Sequence, residues 1–150
     1  MDVEAVVREY IEKTVHMSLA TSSENKPWVC EVHFAYDDEL NLYFRSLKTR
    51  RHSQEIAKNS NVAGNIIDKY DLGAPVVGVY FEGTAKLLGP GTERDQAFKS
   101  IKNRLQASNE ILAEADREDG HQFYKISVTN WYVFGRFSGD SGQKFSLKWH

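Results

Sequence analysis

Strand periodicity recurs six or seven times in this chain, and it never alternates with helix in a repeating strand–helix–strand rhythm. A parallel sheet needs such crossovers. The order of elements therefore predicts a mainly β (α+β), antiparallel barrel with short helices set into it. Residues 16–22, 28–36, 40–44, 62–67 and 76–88 read as five strands, and residues 123–128 and 131–134 as a sixth and a seventh. Asp37-Asp38-Glu39 is a tight acidic turn, which predicts an antiparallel hairpin between the second and third strands. Gly78 and Gly83 interrupt the fifth strand. Glycine inside a strand marks a bulge, a barrel bend or a close approach of backbone.

Helical spacing fills the gaps. Val3, Val6, Val7, Tyr10 and Ile11 form the apolar stripe of a first helix, with Asp2 as its cap. A second runs from Ser53 through Ile56 and Ala57 to a stop at Asn59. Thr92 is the predicted cap of a third, with Glu93 and Asp95 in the first turn, where the helix dipole favours acids. Its buried stripe is Ala97, Phe98, Ile101 and Leu105. Ser108 caps a short fourth helix carrying Ile111, Leu112 and Ala115, and Gly120 closes this insert. Residues 138–142 read as a mobile turn. Beyond it Phe145, Leu147 and Trp149 alternate, which predicts a tail tied down as an edge strand or as a cover over an apolar groove.

Composition narrows the class. The 150 residues suffice for one domain, 1–150, with a real core. A formal net charge of -2 lacks the net basic footprint of a nucleic-acid-binding domain. The single cysteine, Cys30, excludes an internal disulfide and fits a reducing compartment; it reads as buried packing. The first 15 residues are too charged for a signal peptide, and no apolar run has the length of a membrane span. The expectation is a cytoplasmic protein with no membrane and no nucleic-acid partner.

The stretch Phe44-Arg45-Ser46-Leu47-Lys48-Thr49-Arg50-Arg51-His52 joins the third strand to the second helix. Thr49 is a good N-cap by residue type. Arg50 and Arg51 then follow at the positive end of the helix dipole, where bases are disfavoured. An anion between them resolves the conflict. Free helix amides, the Ser46 and Thr49 hydroxyls and two guanidinium forks together make a phosphate cradle. The alternative is a solvated basic turn that merely starts a helix.

This order of elements resembles the pyridoxamine 5′-phosphate oxidase-like family of FMN-binding split barrels. The features that carry the resemblance are Lys26-Pro27, the strand at 28–36, the turn Asp37–Glu39, Leu42-Tyr43-Phe44-Arg45-Ser46, Thr49-Arg50-Arg51 and the later Phe81-Glu82-Gly83-Thr84-Ala85. The resemblance implies a split barrel of Greek-key type, FMN as cofactor, and a homodimer with the cofactor at the subunit interface. It implies that Ser46, Thr49, Arg50 and Arg51 hold the FMN phosphate, with Phe44, Arg45 and Lys48 in the same segment. The backbone of Val29, Cys30, Glu31 and Val32 then meets the flavin ring. Trp131 offers a ring edge or a stacking contact, or else belongs to the core.

Two departures separate the chain from the vitamin B6 oxidases. Their substrate-phosphate residue aligns with Phe34, and their arginine-rich C-terminal motif has no counterpart in Phe145-Ser146-Leu147-Lys148-Trp149. The expectation is an FMN-dependent oxidoreductase for an unknown small molecule. The alternatives are a non-catalytic module of the same fold for FMN, deazaflavin or haem, and a vacant barrel with an interaction role. His16, His33, His52, His121 and His150 have no metal-ligand spacing. His33 is a candidate proton donor or haem ligand, or a hydrogen-bonded barrel histidine.

Overall fold

The computed structural model describes residues 2–69, 71–74, 76–135 and 142–150. Helix α1 (Val3–Ile11) leads into the strands β1 (His16–Ser23), β2 (Lys26–His33), β3 (Ala35–Tyr36) and β4 (Leu42–Ser46). Helix α2 (Arg51–Lys58) precedes β5 (Asn61–Ile66) and β6 (Gly78–Leu87). Helices α3 (Thr92–Leu105) and α4 (Glu110–Ala115) form an insert before β7 (Gln122–Gly135) and β8 (Gln143–Lys148). Pairing is antiparallel throughout, in the order β2-β1-β5-β6-β7-β4-β3, with β8 added on β7. Among the described residues, no helix is long and apolar enough to cross a membrane.

The expected second strand is two strands. It breaks at Phe34, and its pieces go to opposite ends of the sheet. β2 pairs with β1 along its whole length, from His16↔His33 to Ser23↔Lys26. Only Ala35 and Tyr36 pair with β4. The expected hairpin between strands two and three therefore shrinks to two residue pairs. Glu24 and Asn25, with φ of 53° and 64°, close the β1–β2 hairpin as a two-residue turn whose twist suits antiparallel strands. Phe34 is fully buried and its amide donates to the Val15 carbonyl at 2.9 Å. The chain itself thus joins the two ends of the sheet and closes the barrel.

The expected sixth and seventh strands are one, β7, 14 residues long. Its inward residues run Tyr124, Ile126, Val128 and then Trp131, Val133. The parity changes because Glu82 faces Asn130 while Gly83 faces Val128, leaving Thr129 as the extra residue of a bulge. A Cβ on Gly83 would collide with the Ser127 carbonyl, so glycine is needed there.

Two apolar clusters result. The barrel interior, with Leu19, Phe44, Phe81, Ile126 and Trp131, is closed at one side by Val3, Val7 and Ile11 of α1, whose N-terminus is capped by Asp2 accepting from the Ala5 amide. The second cluster sets Ala97, Ile101, Ile111 and Ala115 of the insert against Tyr43 and Phe123. The acidic turn is structural: the Asp37 carboxylate accepts from the Glu39 and Asn41 amides, the Asn41 side chain and the Tyr43 hydroxyl.

Smaller corrections concern helix ends and the tail. Gly91 is the cap of α3 and Thr92 its first residue. Asn109 occupies the cap of α4, although the Ser108 hydroxyl accepts the Glu110 amide. Cys30 is half-buried against the core, where burial pushes its thiol pKa up. The tail does add a strand: Phe145 pairs with Val133 and Leu147 with Trp131, and Trp149 donates Nε1–H to the Glu39 carbonyl at 2.8 Å. Except for Gly142, the turn expected at 138–142 lies outside the described residues.

Candidate functional site

Alternation along β4 sets the site. Leu42 and Phe44 point into the barrel and Tyr43 into the insert cluster. Arg45 shares the face of Tyr43 and so meets the insert, where its Nη2 lies 2.5 Å from Glu114 Oε2. Ser46 shares the inward face of Phe44. The loop after it turns into α2, and a cleft of about 470 Å³ opens there. β2 contributes Glu31, Val32 and His33 to its walls; β4 and its loop contribute Arg45, Ser46 and Leu47. Arg50 and His52 come from the start of α2, and Ile101, Leu105, Ala107 and His121 from the insert and its exit.

Hydrogen bonds stiffen the floor. The Ser46 hydroxyl lies 2.8 Å from His52 Nε2 and accepts from the Ser53 hydroxyl at 3.0 Å. Burial pushes the His52 pKa down, the Arg50 charge pushes it further, and Glu55 opposes both. On the insert side, the Glu114 carboxylate accepts from both the backbone amide and Nδ1 of His121, at 3.0 and 2.7 Å. Those bonds and the neighbouring Arg45 charge hold its pKa at about 2, against the opposing effect of burial.

Two cations in this wall have unused donors. Arg45 Nε is buried without a partner. The Arg50 side chain is exposed and, among the described residues, has no hydrogen bond or ion pair. Thr49 is exposed too, but it does not cap the helix: Arg50 holds the cap position, with no side-chain bond to the first turn. The amides at the start of α2 are therefore without a side-chain cap.

The remaining expected residues scatter. Val29 is 60% exposed on β2 and Cys30 is half-buried beside it. Lys48 pairs with Glu118 at 3.0 Å and lines a different groove, of about 800 Å³, with Ile56 and Leu87. Arg51 pairs with Glu55 and stacks on Trp28, away from the cleft wall. Phe44 and Trp131 are fully buried in the barrel core, where Trp131 packs edge-on against Phe81. Neither presents surface to a ligand in this chain. Glu114 carries no signal in the sequence, and local pattern marks the α3 stripe only as core and His121 only as one of five scattered histidines; they meet at the cleft only when the insert folds back over β4.

The family model described as pyridoxamine 5′-phosphate oxidase matches residues 3–135. No curated protein matches. Among solved structures, a heme binding protein from Mycobacterium smegmatis is 17% identical with a TM-score of 0.75, over 99% of this chain and 58% of that one. This chain thus spans little more than half of that protein's length. A protein related to general stress protein 26 of B. subtilis (pyridoxinephosphate oxidase family), from Clostridium acetobutylicum, is 13% identical with a TM-score of 0.69, covering 99% and 96%. A NimC/NimA family protein, also from C. acetobutylicum, is 16% identical with a TM-score of 0.64, covering 95% and 91%. Identities this low speak for the shared fold alone.

Proposed function

The chain belongs to the pyridoxamine 5′-phosphate oxidase family, and from that membership we propose that it binds FMN and serves as an oxidoreductase for a small molecule. The observation that carries the reading is the exposed Arg50 guanidinium, without a side-chain partner among the described residues, at the uncapped start of α2. Such donors suit a phosphate monoester, which offers several strong acceptor oxygens and negative charge. Arg50 and Thr49 would hold the phosphate, with the first amides of α2. Exposed Glu31 and partly buried Val32 of β2 would line the ring. When bound, FMN supplies two-electron transfer, and the protein supplies binding, orientation and charge.

A homodimer belongs to the same reading. Trp28 and Val29, 40% and 60% exposed, put apolar surface on a strand at the end of the sheet. A second copy is the occupant proposed for it, because a strand with open hydrogen-bonding edge and apolar side chains favours association.

A second reading, a haem-binding module, is favoured by the imidazoles of His33 and His121 at the cleft. The experiment separating them is the spectrum of purified protein, followed by titration of the apo form. Flavin bands, or FMN uptake with fluorescence quenching, support the first reading. A Soret band supports the second, and binding of neither group overturns both.

A further inference from the structure

We propose that His121 is a catalytic acid–base residue of this cleft, its Nε2 giving a proton to a two-electron acceptor reduced there; this rests on the FMN reading above. The geometry begins with Gly120, where a Cβ would collide with the Glu114 carbonyl. Only glycine lets the chain press this close to α4 before β7 begins. His121 is thereby set against Glu114, which receives its amide and its Nδ1 on one oxygen, while Arg45 takes the other.

An ionised carboxylate can only accept, so Nδ1 carries hydrogen in either protonation state. Nε2 is then the nitrogen left open to exchange a proton with a ligand. Among the described residues it has no partner, and the side chain is 44% exposed on the cleft wall. The other cleft histidines lack this arrangement. His52 is buried with Nε2 already bonded to Ser46. Among the described residues His33 has no orienting carboxylate; its ring neighbour is His16, at 5.4 Å. A nitrogen held by a carboxylate on one side and open on the other is the form a general acid takes.

The proton balance is simple. An acceptor of the quinone class receives two electrons and one hydrogen as hydride from reduced flavin. Its oxygen receives the second hydrogen as the proton leaving His121 Nε2. Imidazole remains neutral with Nδ1–H on Glu114, and its exposed edge is reprotonated from water.

The test uses the FMN-loaded protein reduced anaerobically with dithionite, then mixed with menadione or with ferricyanide. Menadione takes up protons; ferricyanide takes only electrons. His121→Ala should slow the menadione step by about 100-fold or more, the usual scale of general acid catalysis, and leave the ferricyanide step unchanged. Added imidazole should restore part of the menadione rate. Glu114→Gln should give a smaller loss. Independently of FMN, nitrogen NMR of the apo protein should find neutral His121 as the Nδ1–H tautomer in the parent. Equal menadione rates, equal slowing with both acceptors, or an Nε2–H tautomer would overturn the proposal. If the parent takes up no FMN, the cofactor reading fails and this one with it; uptake with unchanged rates removes this one alone.

Discussion

The Arg51 guanidinium lies 4.3 Å from the centre of the Trp28 ring, tying the first turn of α2 to the outer strand β2. Arg51 Nε also donates to Glu55 Oε2 at 3.0 Å, one helical turn on. Its charge is therefore compensated inside the protein. The unfavourable position of a base at a helix start is left to Arg50, which among the described residues has neither partner.

The two arginines should separate by mutation. Arg50→Ala should lose a charge-assisted hydrogen bond, roughly 1.5–3 kcal/mol, so FMN affinity falls about ten- to hundred-fold. Arg51→Ala should leave FMN affinity nearer the parent's. It should also lower the stability of the apo protein by about 0.5–1 kcal/mol, the scale of an exposed cation–π contact. That sign is opposite to the small gain expected from relieving the helix dipole alone. FMN titration by fluorescence quenching and urea unfolding of both apo variants check this. Equal affinities for parent and Arg50→Ala would remove the phosphate cradle.

His52 predicts a pH dependence. Its folded pKa lies below the ordinary histidine value, because burial and Arg50 disfavour the cation. The unfolded chain then binds the proton more readily. Stability is fully present above about pH 6.5, the unfolded value, and is lost as pH falls through that value towards the folded one. Urea unfolding between pH 7.5 and pH 5 (chosen to bracket the titration, about one to two units either side) should show the loss in the parent. A flatter profile in His52→Gln is expected; an identical one would assign the effect elsewhere.

Gly83→Ala should destabilise by about 1–3 kcal/mol, the usual cost of overpacking. The added methyl meets the Ser127 carbonyl across the bulge, and backbone cannot swing aside. Gly89→Ala is the control, since nothing lies within 4 Å of a Cβ there. Thermal melts that rank the two equally would contradict the bulge geometry.

Removing residues 142–150 should expose the outer side of β7 and release the Trp149–Glu39 bond. Phe145, Leu147 and Trp149 are partly buried, so each contributes a fraction of the roughly 1.5–3 kcal/mol of a fully buried apolar side chain. The truncated protein should unfold at lower urea and bind an apolar dye. A parent-like midpoint would make the strand a passive end.

Val29→Lys should turn the proposed dimer into a monomer of 17.2 kDa by light scattering. Lysine on an exposed strand blocks edge association. A parent already monomeric at micromolar concentration would remove the dimer and weaken the proposed cofactor arrangement.

Local pattern alone determined a good deal of this protein. The α1 stripe with its Asp2 cap, the Asp37 turn, the alternation of β4 and the antiparallel, helix-poor architecture all depend on residues within one or two turns of each other. Such signals are written in sequence because their physics is short-range. Tertiary structure decided the rest. Phe34 is an ordinary strand residue by its neighbours, yet barrel closure sends β2 and β3 to opposite ends of the sheet. Trp131 has alternation on both sides, but the bulge at Thr129 shifts the parity that turns it into the core. Lys48 and Arg51 find Glu118 and Glu55, while Arg50 stays open and Arg45 keeps one buried donor free. His121 meets Arg45 through Glu114 only because the insert packs back on β4. Which face a side chain takes, and which charge it meets, depends on register and on contacts between residues far apart in the chain, and no local periodicity carries that information.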